Sequence, residues 1–99
     1  MLTKKMEKAL NEQINKEFWS AYLYLSMAAY FEEKNLPGFA NWMRVQSQEE
    51  VTHGMKIFDY VNSRGGRVLL KPIKEVPSEW SDARTVVEET LKHERVVTE

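Results

Sequence analysis

The chain has 99 residues, 42% of them apolar, enough for one domain with a core of ordinary size. Its formal net charge is −1, without the basic patch or tail that marks a nucleic-acid partner. It has no cysteine, which excludes disulfides, thiolate metal sites and thiol nucleophiles, so any transition metal must be held by histidine and carboxylate.

The N-terminal stretch from Met1 to Gln13 is charged and amphipathic. It lacks an apolar run followed by a small-residue cleavage site, so no signal peptide is expected. The longest uncharged run, Phe18 to Phe31, is too short to span a bilayer. A soluble, cytoplasmic protein is the default expectation. The first predicted helix runs from about Thr3 to Lys34. Steps of four and three from Leu10 land on Leu10, Ile14, Glu17, Ala21, Tyr24, Ala28 and Phe31. All but Glu17 suit a buried seam. At 1.5 Å per residue such a helix is about 45 Å long. Phe18, Trp19, Tyr22, Leu23, Leu25 and Met27 lie off this seam. A helix apolar nearly all round is buried on two sides. One side meets the core, and the other is expected to meet another subunit, which predicts a homo-oligomer. The competing reading is that a later segment of the chain covers this face.

Asn35-Leu36-Pro37-Gly38 interrupts the helical pattern, and the second predicted helix runs from about Pro37 to Arg64. Pro37 suits the first helical position, and Gly65-Gly66 is a natural stop. The same stepping gives Phe39, Met43, Gln46, Glu50, His53, Ile57 and Tyr60, apolar at both ends and polar in the middle. The short link makes the two helices antiparallel neighbours. Arg67 to Trp80 contains Pro72 and Pro77 around an apolar stretch at Val68-Leu69-Leu70. A short strand is one reading; an extended crossover outside the bundle is preferred, because it lets a third helix run parallel to the second. That helix is predicted to start at a Ser81-Asp82 cap, with a seam of Val87, Leu91 and Glu94. The expected fold class is an all-α bundle, with no internal repeat or low-complexity tract.

Glu17, Glu50, His53 and Glu94 therefore fall on inward faces. Ionised carboxylates avoid a dry core unless a cation or hydrogen bonds compensate them. Three of them beside a histidine suit a metal pair. Glu50 and His53 are three apart and share a helix face, so both reach one metal. Carboxylate with imidazole suits iron or manganese and also binds zinc. Taken singly, each signal has a bland alternative. Glu-x-x-His occurs on solvated helix faces, Tyr24 reads as a core aromatic, and Glu49 and His93 read as surface residues. The conjunction carries the reading.

Several stretches resemble the non-haem ferritins of bacteria and archaea: residues 9–17, Ser20 to Met27, Gly38 to Met43, Gln48 to His53, Arg64 to Val68, Pro77 to Trp80, and His93-Glu94. The resemblance covers essentially all of residues 1–99. It implies a ferritin-like four-helix bundle assembled into a hollow cage, normally a 24-mer. It implies ferroxidase activity at a di-iron centre, with dioxygen or peroxide as oxidant, and storage of ferric mineral inside. Position by position, Glu17 and His53 would bind the first iron, Glu50 would bridge, and Glu94 would bind the second. Tyr24 resembles the family's tyrosine beside the centre, associated with electron transfer, and Glu49 resembles a ligand of a third iron site. Val51 stands where the haem-binding relatives carry methionine, so no haem is expected. The family pattern continues beyond Glu99 with the rest of the third helix and a fourth that supplies further ligands. Residues 1–99 therefore read as a C-terminally incomplete di-iron domain. The alternative function is a catalytically impaired helical assembly module. A rubrerythrin-type peroxidase is disfavoured by the absence of cysteine.

Overall fold

A computed structural model describes residues 1–98. It contains three helices: α1 from Lys4 to Glu33, α2 from Pro37 to Ser63 and α3 from Ala83 to Thr98. No strand occurs among the described residues. The molecule extends over 49 × 22 × 18 Å, its length set by α1.

Local chemistry explains the helix ends. Thr3 caps α1 by accepting from the Met6 amide at 3.1 Å. Asn35, at φ 59°, and Gly65, at φ 75°, take the left-handed conformation just past α1 and α2. At each end two amides turn back onto the last turn: Asn35 to Glu32 and Leu36 to Phe31, then Gly65 to Asn62 and Gly66 to Val61. Asparagine tolerates this conformation better than other side-chain-bearing residues, and glycine adopts it freely. Pro37 occupies the first turn of α2 as expected. Asp82 caps α3 by accepting from the Thr85 amide at 2.8 Å, which holds its carboxyl below the usual range.

The expected topology holds. The Ser47 hydroxyl donates to the Ala21 carbonyl at 2.7 Å, and Gly54 packs on Phe18, so α2 runs antiparallel to α1. Thr90 reaches Met27, and Glu94 reaches Tyr24, so α3 also runs antiparallel to α1 and hence parallel to α2. The core at one end of the bundle joins Leu23, Met27, Tyr30 and Phe31 to Ala40, Met43 and Val86.

The helix faces differ in detail from their predicted seams. Among the α3 residues whose side chains are described, the buried positions are Val86 and Thr90, while Leu91 is 57% exposed. Thr90 is buried because its hydroxyl is satisfied, donating to the Val86 carbonyl at 2.9 Å beside the Met27 and Met43 sulfurs. In α2 the line facing α1 is Ala40, Met43, Ser47, Glu50, Gly54 and Val61, whereas Phe39, His53 and Tyr60 are exposed. Small residues let the two backbones approach, and a count of apolar residues does not register them. A Cβ added at Gly54 would meet the Phe18 ring at 3.1 Å.

The extended crossover is pinned along α1. The Asn11 side chain donates to the Arg67 carbonyl at 3.0 Å and accepts from the Leu69 amide at 2.8 Å. Asn15 accepts from the Lys71 amide at 3.1 Å, and Ser26 donates to the Pro77 carbonyl at 2.6 Å. The crossover thus covers part of the outer face of α1, while Leu23 and Met27 turn into the core. Tyr22 and Leu25 stay about half exposed. Asn11→Ala is expected to cost about 1–3 kcal/mol, because it orphans backbone groups at a part-buried position. Limited trypsin digestion should then cut sooner at Arg67 and Lys74, Lys71 being shielded by the following Pro72.

Candidate metal centre

Glu17 lies near the middle of α1, and Glu50 lies opposite it on α2. Both are buried, at 6% and 3% exposure. His53 sits one turn beyond Glu50, its side chain half exposed. Its Nδ1 lies 3.9 Å from Glu17 Oε2 and 3.9 Å from Glu50 Oε2. One ligand atom from each of these three residues falls within 4.8 Å of the others. Gly54 keeps the two helices close beside the cluster: a Cβ added there would lie 3.1 Å from the Phe18 ring and 3.5 Å from the Glu17 Cβ.

The hydrogen bonds around the cluster are unequal. Glu17 Oε1 accepts from the Gln13 amide at 2.8 Å. Glu17 Oε2 and Glu50 Oε2 are buried without any hydrogen-bond partner. Buried carboxylate oxygens without a partner are costly. Burial pushes the Glu50 carboxyl up to about 9, helped by the neighbouring Glu17 and Glu94 carboxylates. Both of the other acidic residues therefore converge on Glu50. A cation between these oxygens would satisfy them and reverse the electrostatic penalty, so the donor set fits a metal ion.

Glu94 joins through a second contact. Its Oε1 accepts from the Tyr24 hydroxyl at 2.7 Å. Burial and the three surrounding glutamates hold the Tyr24 phenol well above its ordinary value, so it stays a protonated donor. Tyr24 is fully buried, as a core aromatic would be, and it also borders the acidic cluster. Glu49 is exposed and lies outside the three-residue group.

His93 departs from its surface reading. It is partly buried, hydrogen-bonded to Ser20 at 2.7 Å, and its ring lies 5.6 Å from Trp19 and 5.8 Å from Tyr24. Two unpredicted residues take part here, Gln13 against Glu17 and Ser20 against His93. Each had a sequence signal: Gln13 is four residues before Glu17 and Ser20 three after it, both on its helix face.

The buried carboxyl makes metal-free stability depend on pH. Below about 4.5 Glu50 is protonated in folded and unfolded chains alike. Between about 4.5 and 9 the folded chain keeps a proton that the unfolded chain has lost. Stability therefore falls as pH rises through this window. Thermal unfolding in a chelator is expected to show a melting temperature that decreases from pH 5 to pH 9; a rise would contradict the burial of Glu50.

A profile of the ferritin family, described as a ferritin-like domain, matches residues 7–99. The chain is similar to a bacterial non-heme ferritin of Bacteroides fragilis, 45% identical over 98 residues that cover 99% of this chain and 62% of that protein. It is similar to a chloroplastic ferritin of Phaseolus vulgaris, 46% identical over 100 residues that cover 94% of this chain and 39% of that protein. Among solved structures, an open-pore ferritin from the hyperthermophilic archaeon Archaeoglobus fulgidus superposes with a TM-score of 0.95 at 55% identity. That match covers 99% of this chain and 60% of the other. The chain thus spans about 60% of the length of the bacterial and archaeal ferritins it matches.

Proposed function

The chain belongs to the ferritin family, and from that premise we propose that it stores iron and contributes to a di-iron ferroxidase centre. Ferrous iron is the substrate. Glu17 Oε2, Glu50 Oε2 and His53 Nδ1 are the ligands of the first ion. Glu50 bridges toward a second ion held by Glu94. The observation that carries this reading is the pair of buried, partnerless carboxylate oxygens facing one imidazole. A purely structural helical module would be more stable with apolar side chains at positions 17 and 50, since burying unpaired charge is unfavourable.

Each residue has a chemical task in this account. Carboxylates favour the higher charge of the ferric product over the ferrous substrate. Two ferrous ions together supply two electrons to dioxygen or peroxide. Tyr24 donates to Glu94 Oε1 and holds that carboxylate in place beside the position of the second ion. The half-exposed His53 side leaves a path for iron to enter and leave. Glu49, outside the cluster, is assigned to a third, peripheral iron position by resemblance alone. Exposed apolar side chains at Tyr22, Leu25, Leu69, Leu70 and Ile73 support assembly into a homo-oligomer, and a 24-subunit cage is the proposed form. No helix among the described residues is long and apolar enough to cross a membrane, and the site of action is proposed to be the cytoplasm.

Aerobic addition of ferrous iron, followed by ferric absorbance, tests the reading. Glu17→Ala is expected to slow the initial rate by at least about tenfold, the lower range for damage to a metal site. Equal rates in the two proteins would remove Glu17 from the centre.

A further inference from the structure

We propose that Gln13 is a positioning residue that holds Glu17 as a one-oxygen metal ligand. The inference rests on the metal-centre reading above and deepens it. Glu17 has two carboxylate oxygens in different situations. Oε1 accepts from Gln13 Nε2 at 2.8 Å. Oε2 is buried, has no hydrogen-bond partner, and lies 3.9 Å from His53 Nδ1. The amide therefore occupies one oxygen and leaves the other for the cation.

The helix sets this division. Gln13 and Glu17 are one turn apart on α1 and share a face. A carboxylate only accepts, so the amide must present its NH2 group to it. Gln13 and Glu17 also line a cleft of roughly 700 Å³ between α1, the crossover and α3, together with Trp19, Ser20, Lys71 and His93. Glu17 is thus reachable from two sides, the cleft and the Glu50–His53 side. The Gln13 bond ties up the first oxygen and leaves the second toward Glu50 and His53. Without it, the carboxylate can rotate and chelate through both oxygens, or swing toward the cleft. Hydrogen-bonded partners of this kind orient ligands and typically change metal affinity by 10–100-fold.

The test uses the full chain with ferrous iron under anaerobic conditions. Affinity is read by competition with a chelator. Ligand mode is read by difference infrared spectroscopy on protein carrying 13C-labelled glutamate carboxylates, where one-oxygen and chelating carboxylates differ in the separation of their stretching bands. Gln13→Met keeps the side-chain length and helix propensity but removes the donor. It is expected to weaken binding by about tenfold and to lose a one-oxygen band. Gln13→Lys retains a donor and is expected to restore that band, even with lower affinity from its added charge. Unchanged bands and affinity in Gln13→Met would overturn the inference, as would failure of Gln13→Lys to restore the band. Glu17→Gln separates the two levels of the argument. If it leaves iron binding intact, the metal-centre reading itself fails; if it abolishes binding while Gln13→Met changes nothing, only the role of Gln13 fails.

Discussion

Glu50→Gln is expected to reduce ferrous-iron oxidation by on the order of 100-fold while raising the melting temperature of the metal-free protein. The two effects have opposite signs because they have one cause. Glu50 is 3% exposed, and its Oε2 has no partner. Its carboxyl is pushed up by burial and then by the Glu17 and Glu94 carboxylates. An amide of the same shape is neutral without binding a proton, so the cost of keeping Glu50 protonated in the folded chain disappears. It is also a far weaker ligand for a hard cation, so the proposed bridge between the two ions disappears with it. The stability gain should grow with pH between about 4.5 and 9, the window in which the wild type is progressively penalised. The rise in melting temperature should therefore be larger at pH 8 than at pH 5. Circular dichroism melts in chelator and an aerobic iron-oxidation assay check both halves. A variant that loses activity and stability together would mean that Glu50 is an ordinary structural residue.

Phe31→Ala is expected to be the most destabilising single change away from the metal centre. Phe31 is fully buried and stacks on Phe39, with ring centroids 5.2 Å apart. It also meets Tyr30 edge-on at 5.7 Å. It belongs to the cluster that ties α1 to Ala40 and Met43 of α2 and Val86 of α3. Truncating a buried phenylalanine costs about 3–5 kcal/mol through lost burial and the cavity left behind. Whole domains are stable by only about 5–15 kcal/mol, so this loss is a large fraction of the total. Phe31 lies fourteen residues along α1 from Glu17, about 21 Å at 1.5 Å per residue. The two regions should therefore respond independently. Denaturant titration should show a much lower midpoint for Phe31→Ala, while the molecules that remain folded bind ferrous iron with wild-type affinity. Weakened iron affinity in the folded fraction would show that the core and the centre are coupled.

Much of the fold was legible because its signals are local. The period of α1, Pro37 at the start of α2, Gly65 past its end and Asp82 before α3 each act within a few residues. The convergence of Glu17, Glu50 and His53 was legible because the apolar seam of α1 puts Glu17 inward and the three-residue spacing of Glu50 and His53 puts both on one side of α2, although most of the seam read for α2 is not its buried face. What was missed depends on tertiary partners. Thr90 replaces Leu91 on the buried face because Val86, Met27 and Met43 satisfy its hydroxyl. His93 is drawn inward by Ser20, Trp19 and Tyr24, none of which is near it in sequence. The attachment of the crossover by Asn11 and Asn15 needs the three-dimensional path of residues 67–71. Gln13 was not singled out in the sequence, because a glutamine on a helix face is ordinary until the structure shows its amide on Glu17.

The central claim is that Glu17, Glu50 and His53 hold iron together. Crystals soaked anaerobically with ferrous iron, with diffraction measured on both sides of the iron absorption edge, test it most directly. The account predicts an anomalous peak within bonding distance of Glu17 Oε2, Glu50 Oε2 and His53 Nδ1, with Glu17 Oε1 still held by Gln13. Iron bound only at other positions, with these two carboxylate oxygens still without a ligand, would contradict it.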